Sequence, residues 1–229
     1  MKYIALIPAY CPGTPLVKLT EELNESGFTC LVVDDGSSDQ SIFQMLGKDI
    51  VVLRHEANKG KGAAMKTGMR FIQENEVECI VVTADADGQH LATDILHCGK
   101  ISEENPESLI LGVRQFNKEY VPMKSYYGNK ITESIFNIFT GIHISDTQTG
   151  LRAFHSSLIP HMLAPEGERY EYEMNQLLYC VRNQISILEV PITTVYEDNN
   201  KGSHFHPLRD SALIYSQILR YSAANIIRF

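Results

Sequence analysis

No two cysteines in the 229-residue sequence have CxxC spacing, and their total, five, is odd. Cys11, Cys30, Cys79, Cys98 and Cys180 are scattered, which argues against a secreted disulfide framework and a structural zinc site. A reducing cytosol fits best. Also missing is any run approaching the ~18 apolar residues of a membrane span. The apolar start, Tyr3 to Ile7, is halted by Pro8. It is too short for most signal peptides and reads as a buried first strand, so the chain is expected to be soluble as it stands. Positive charge is scarce: 20 Lys+Arg against 28 Asp+Glu give a formal charge of −8. That balance excludes a broad electrostatic grip on nucleic acid, yet leaves room for an anionic substrate in a locally basic or metal-bearing cleft. There is no internal repeat and no long Pro/Gly/Ser linker. With 44% hydrophobic residues, a single folded domain is expected rather than disorder.

What is present is a strand–helix alternation. Short, continuous, Val/Ile-rich runs lie at 3–7, 29–33, 50–53, 79–84 and 108–113. Strands covered by helices on both faces look like this. Helix-compatible stretches fall between them, near 14–26, 38–47, 61–75 and 92–104. The result is an α/β chain with a mostly parallel sheet, whose ligands bind beyond the C-terminal strand ends. The second half is less regular. It predicts a helix over 123–139 ending near Gly141, a short segment at 151–154, helices near 156–163 and 172–183, a strand at 185–190 and a last helix over about 208–227.

The unusual residues follow the strands. After the second comes Val33-Asp34-Asp35-Gly36-Ser37-Ser38-Asp39. A carboxylate there can accept from a ribose hydroxyl or a base N–H, while the plainer account is a turn whose Ser38 or Asp39 caps the next helix. After the fourth comes Asp85-Ala86-Asp87-Gly88-Gln89-His90. In extended backbone Asp85 and Asp87 point the same way, so both can face one hard cation, Mg²⁺ or Mn²⁺; the plainer account is an Asp-Gly turn. An EF-hand is disfavoured, since the twelfth position is Leu96 counted from Asp85 and Cys98 counted from Asp87. Between these turns Asn58-Lys59-Gly60-Lys61-Gly62 opens the third helix. Small residues there let backbone N–H groups approach a phosphate. The segment satisfies neither GxxxxGK[ST] nor GxGxxG.

Taken together, Ile7-Pro8-Ala9-Tyr10 and these three segments resemble the family 2 glycosyltransferases of GT-A fold. A later segment, Asp146-Thr147-Gln148-Thr149-Gly150-Leu151-Arg152-Ala153-Phe154, is similar to the polyprenyl-phosphate branch, which includes dolichyl-phosphate mannose and glucose synthases. The resemblance runs over roughly residues 3 to 215. It implies a GT-A, Rossmann-like three-layer sandwich that transfers a hexose, with inversion, from a UDP- or GDP-sugar to a polyprenyl phosphate. By matched motif Pro8, Ala9, Tyr10, Asp34, Asp35 and Lys61 contact the nucleotide-sugar. Asp85 and Asp87 hold Mg²⁺ or Mn²⁺ on its diphosphate, with Gln89 beside metal or sugar.

The implied acceptor is a lipid phosphate, already anionic, so the chemistry asks for cations that align two negative substrates rather than for a strong base. Arg114 matches an arginine used near that phosphate, and Lys124, Asn129, Arg152, Lys201 and Ser203 are further candidates. For Arg114 and Arg152 the plainer account is a surface salt bridge. The mannose synthases carry arginine where this chain has Lys201, which lacks the bidentate fork. Glu171 and Glu173 stand where related transferases have an acid near the acceptor; dipole-favoured charges at a helix start explain them equally well. His204 and His206 have no third ligand nearby and read as loop residues. A catalytic domain is expected over 1–207 and an amphipathic helix over 208–229, with Leu208, Ala212, Tyr215, Leu219 and Ile226 on its apolar side. That helix packs on the protein or lies at a membrane surface. Many relatives continue here into transmembrane helices, so a missing span or a membrane-embedded partner, and a place at the inner face of the membrane, are also expectations. Two other readings compete: a saccharide or protein hydroxyl as acceptor, with Glu171 or Glu173 as base, and a non-catalytic nucleotide-sugar-binding subunit.

Overall fold

The computed structural model describes residues 1–114, 123–193, 213 and 215–221, with backbone alone at 123–129. Seven strands form one sheet: β1 (Lys2–Ala9), β2 (Phe28–Asp34), β3 (Val51–Arg54), β4 (Cys79–Thr83), β5 (Ser108–Arg114), β6 (Arg152–His155) and β7 (Ser186–Ile192). Their order is β3-β2-β1-β4-β6-β5-β7. Every pairing is parallel except those of β6, which runs antiparallel to both β4 and β5. The mostly parallel α/β sheet expected from the apolar runs is what forms. The segment at 151–154 becomes the inserted antiparallel strand, and that reversal carries the chain back from the strand-end face.

The continuous apolar runs are explained by two cores. Ile4 and Leu6 of β1 and Leu31 and Val33 of β2 face one of them. Their neighbours Ala5, Ile7, Cys30 and Val32 face the other, as a period of two requires. On the first face lie α3 (Lys61–Asn75), α6 (Ile159–Leu163) and α7 (Glu171–Arg182), with Phe136 of α5 (Met123–Thr140). On the second lie α1 (Pro15–Glu25), α4 (Ala92–Glu104) and the short α2 (Ser41–Gln44). The helix expected over 38–47 shrinks to α2 because Asp39 accepts from both the N–H and the hydroxyl of Ser41, fixing the turn before it.

Of the expected C-terminal helix, residues 213 and 215–221 are helical; 208–212 and 222–229, and with them Leu208, Ala212 and Ile226, lie outside the described residues. Ile218 is buried and Tyr215 lies 3.3 Å from the Thr132 hydroxyl of α5, whereas Leu219 is 58% exposed. Tyr215 and Ile218 thus face the protein, while Leu219 points outward. Among the described residues no helix is long and apolar enough to cross a membrane.

Candidate active site

Parallel register brings the C-terminal ends of β1, β2 and β4 to one side of the sheet, with Ala9 opposite Asp34 and Leu6 opposite Thr83. The turns that follow them gather at that edge, where open parallel sheets bind their ligands. Pro8 and Ala9 end β1, and the exposed Tyr10 follows them. The two aspartates after β2 take different jobs. Asp34 is fully buried and accepts from the Ser37 N–H (2.8 Å) and the Gln40 amide (2.9 Å), with the Arg54 Nε at 3.3 Å. It braces its own turn. Asp35 reaches across to the next strand end: its carboxylate accepts from the Lys59 and Gly60 N–H groups at 2.9 and 2.7 Å. The His55 ring, 2.7 Å away, bonds onward to Thr67 in α3.

The glycines of the Asn58–Gly62 segment serve another end than the sequence suggested. A Cβ on Gly60 would meet Arg169 Cγ at 2.7 Å, and one on Gly62 would meet Tyr172 Cβ at 2.6 Å and Glu168 C at 2.9 Å. Small residues here admit protein backbone. The Gly60 N–H is taken by Asp35 and the Ala63 N–H by the Glu168 carbonyl. The expected phosphate cradle is thus corrected in part: the Gly60 N–H is already spent on Asp35, and the Ala63 N–H on the segment that leads into α7.

That close packing has a consequence for charge. Lys61 sits between two carboxylates, 2.6 Å from Asp85 Oδ1 and 2.8 Å from Glu173 Oε1. Burial by itself would lower the Lys61 pKa; Asp85 and Glu173 outweigh it and hold the ammonium well above its usual range. Desolvation would likewise raise Asp85, but Lys61 overrides it and keeps that carboxyl far below the ordinary carboxylate range. Asp87 goes the other way, raised first by burial and then by the charge of Asp85. Its Oδ1 accepts the Gln89 N–H at 3.1 Å. His90 is buried with its Nε2 3.6 Å from Asp85 Oδ2, too long for a hydrogen bond. On the far side Gly150 abuts Asp85; a Cβ there would lie 2.8 Å from Asp85 Cγ.

Among the acceptor candidates, Arg114 at the end of β5 is held by buried Asp146 through two parallel bonds, Nε to Oδ2 at 2.7 Å and Nη2 to Oδ1 at 3.1 Å. Arg152 contradicts both accounts given for it. It is 1% exposed, so it is neither a surface ion pair nor open to a phosphate. Its guanidinium donates to the Thr149 and Glu173 carbonyls and to the Gln176 side chain. It points inward because the antiparallel β6 begins with it, in the middle of the sheet. Glu171 accepts from the Glu168 and Arg169 N–H groups and so braces the loop before α7. Lys201, Ser203, His204 and His206 lie outside the described residues, as do the side chains of Lys124 and Asn129. Gly150 joins the site without having been assigned a role there, while Glu173, expected as an acid near the acceptor or as the base of the competing reading, is set against Lys61 beside Asp85.

The donor set fits a divalent cation. Asp85 and Asp87 offer two carboxylates, one of them strained by the other's charge, and Lys61 holds a positive group against Asp85. Among the described residues no cluster of three or more His, Cys, Asp or Glu suited to a metal exists. Mg²⁺ and Mn²⁺ bound by one or two carboxylates, with water and substrate phosphate completing the octahedron, need no more.

Comparison with known proteins bears on the family and the fold. The model of the glycosyl transferase family 2 matches residues 5–164. The UDP-N-acetylglucosamine–dolichyl-phosphate N-acetylglucosaminyltransferase of Methanococcus voltae is 30% identical over 215 residues, 84% of this chain and 85% of that protein. Glycosyltransferase AglJ of Haloferax volcanii is 26% identical over 227 residues, 96% of this chain and 72% of that one. Among solved structures, glucosyl-3-phosphoglycerate synthase from Mycobacterium tuberculosis superposes with a TM-score of 0.75 at 14% identity, covering 97% of this chain and 80% of its own. That enzyme has also been crystallised with Mn²⁺, UDP and phosphoglyceric acid. At such low identity the superposition speaks for the GT-A fold; the sequence match, reaching from β1 through α6, carries the rest. The protein is a glycosyltransferase and belongs to glycosyl transferase family 2.

Proposed function

We propose that the protein transfers a sugar from a UDP- or GDP-linked donor to a polyprenyl phosphate, with Mg²⁺ or Mn²⁺ on the donor diphosphate. UDP-N-acetylglucosamine is the first donor to test, because a relative named for that donor and a dolichyl-phosphate acceptor aligns along 85% of its length. The observation that carries the reading is the ammonium of Lys61 gripped by Asp85 and Glu173 beside Asp87, at the strand ends. It concentrates mobile charge where a diphosphate would arrive.

In this reading Pro8, Ala9, Tyr10 and Asp35 flank the nucleoside, while Asp34 supports them from beneath. Lys61 exchanges Asp85 for donor phosphate oxygens and remains tethered to Glu173. Asp85, freed of Lys61, would hold the cation together with Asp87, and the cation would supply neutralisation of the charge on the departing nucleoside diphosphate. Gln89 stands beside them. Arg114, aimed by its two bonds to Asp146, faces the acceptor phosphate, for which Lys124, Asn129, Lys201 and Ser203 remain the further candidates. The anionic phosphate oxygen needs no base, so alignment and electrostatics carry the rate.

The test is transfer of label from UDP-N-acetylglucosamine, and in parallel from other UDP- and GDP-sugars, to dolichyl or undecaprenyl phosphate with Mn²⁺. A chloroform-soluble product that disappears in Asp87→Ala supports the reading. Label that stays in water on a saccharide or peptide overturns the lipid acceptor, and equal transfer by Asp87→Ala overturns the metal assignment.

A further inference from the structure

Arg152 is the largest fully buried side chain among the described residues. Its three acceptors are all neutral: the Thr149 carbonyl at 3.2 Å from Nε, and the Glu173 carbonyl and Gln176 Oε1, each 2.8 Å from Nη1. Nη2 is buried without a hydrogen-bond partner. A buried guanidinium with an unsatisfied nitrogen and no bonded carboxylate is a poor device for stability, since a packed apolar side chain avoids the desolvation penalty altogether. What the arginine achieves is a connection. Nε holds the loop that ends at Gly150, which abuts Asp85. Nη1 holds the first turns of α7, which present Glu173. These are the two sides of the grip on Lys61. We propose that Arg152 is a positioning residue for donor binding. It fixes the spacing between the Asp85 and Glu173 carboxylates, and so the place of the Lys61 ammonium that meets the donor diphosphate. This rests on reading the strand-end edge as the donor site.

The task calls for arginine in particular. Its rigid fork donates in two fixed directions, whereas a lysine ammonium keeps the charge but not the span. Arg152→Lys should therefore fail to restore function even where it folds. The discriminating measurement is calorimetric binding of UDP, and separately GDP, with Mn²⁺ in a double-mutant cycle. If Arg152 acts through Lys61, Arg152→Lys weakens nucleotide binding about tenfold in the wild-type background and less than about twofold in a Lys61→Met background. A merely structural arginine gives the same fold-change in both backgrounds, and that result overturns the proposal. So does unchanged affinity in the single variant. If the wild type binds neither UDP nor GDP, the donor-site reading and this inference fall together; binding with an additive loss removes only the inference. Should Arg152→Lys not fold, Gln176→Leu removes one of the two α7 bonds. It is expected to weaken binding in the same direction and with the same dependence on Lys61, and an additive loss there overturns the proposal equally.

Discussion

Replacing Lys61 with methionine keeps the length of the side chain and deletes the one charge that two carboxylates share. At 2.8 Å, the separation of Lys61 and Glu173, a unit pair attracts by roughly 6 kcal/mol at an effective dielectric of about 20. Desolvation of both groups offsets most of that. Stripping the partner from a buried charge costs about 3–5 kcal/mol. Glu173 is buried, but Asp85 keeps 32% of its side-chain exposure, so water takes up part of the loss there. A destabilisation of about 2–3 kcal/mol is expected for Lys61→Met, a fall in Tm of roughly 5–10 °C for a chain of this size. The sign of the companion variant is the sharper test. Glu173→Gln on top of Lys61→Met removes the stranded charge and should return about 1 kcal/mol or more of that loss. Urea denaturation of the wild type, both single variants and the double variant supplies the cycle. If Lys61→Met lies within about 0.5 kcal/mol of wild type, or if the two losses simply add, the coupled grip described for this site does not exist.

Other expectations follow from the same geometry. Lys61→Met should bind Mn²⁺ more tightly than wild type in the absence of nucleotide, because Asp85 loses its competing cation, while UDP binding weakens; titration calorimetry reads both. Gly150→Ala pushes a methyl onto the Asp85 carboxylate, a side-chain end that can move. Sugar transfer should fall at least about tenfold, while Tm moves by only a few degrees. Gly62→Ala instead meets Tyr172 Cβ and the Glu168 backbone, which cannot step aside. It should cost about 1–3 kcal/mol in denaturation experiments. Mn²⁺ must compete with a proton on Asp87, whose pKa is raised by burial and by Asp85. Affinity should be full above that raised value and weaken as pH falls through it, at a pH above the ~3.9 of a free aspartate. In Asp85→Asn the Asp87 carboxyl, followed directly by NMR without metal, should titrate lower than in wild type yet stay raised, since burial is the larger cause.

Apolar periodicity alone located the alternating elements of the parallel half-sheet, because a strand buried on both faces must be continuously apolar and short. The motif residues were placed at strand ends for the same reason, and Asp85, Asp87 and Lys61 do meet there. Other features had no local signal. The reversal of β6 depends on which neighbours it joins, β4 and β5, and a four-residue strand does not advertise its direction. Asp34 and Asp35 are adjacent and chemically identical, yet successive side chains diverge, so one braces its own turn while the other reaches the next loop.

The sequence by itself determined the class of fold, the family and the supply of charged groups, since hydrophobic period and motif order are properties of the chain as written. Tertiary structure decided how those groups are used. The glycines of the Asn58–Gly62 segment read locally as room for phosphate; in three dimensions they are room for residues 168–172. Arg152 reads as a surface cation or a phosphate ligand, and burial turns it into a tie between a loop and a helix. Glu173 reads as a helix-start acid until α7 docks and sets it against Lys61. In each case a deciding partner lies on a separate element of the fold, and only packing fixes which such groups come close enough to matter.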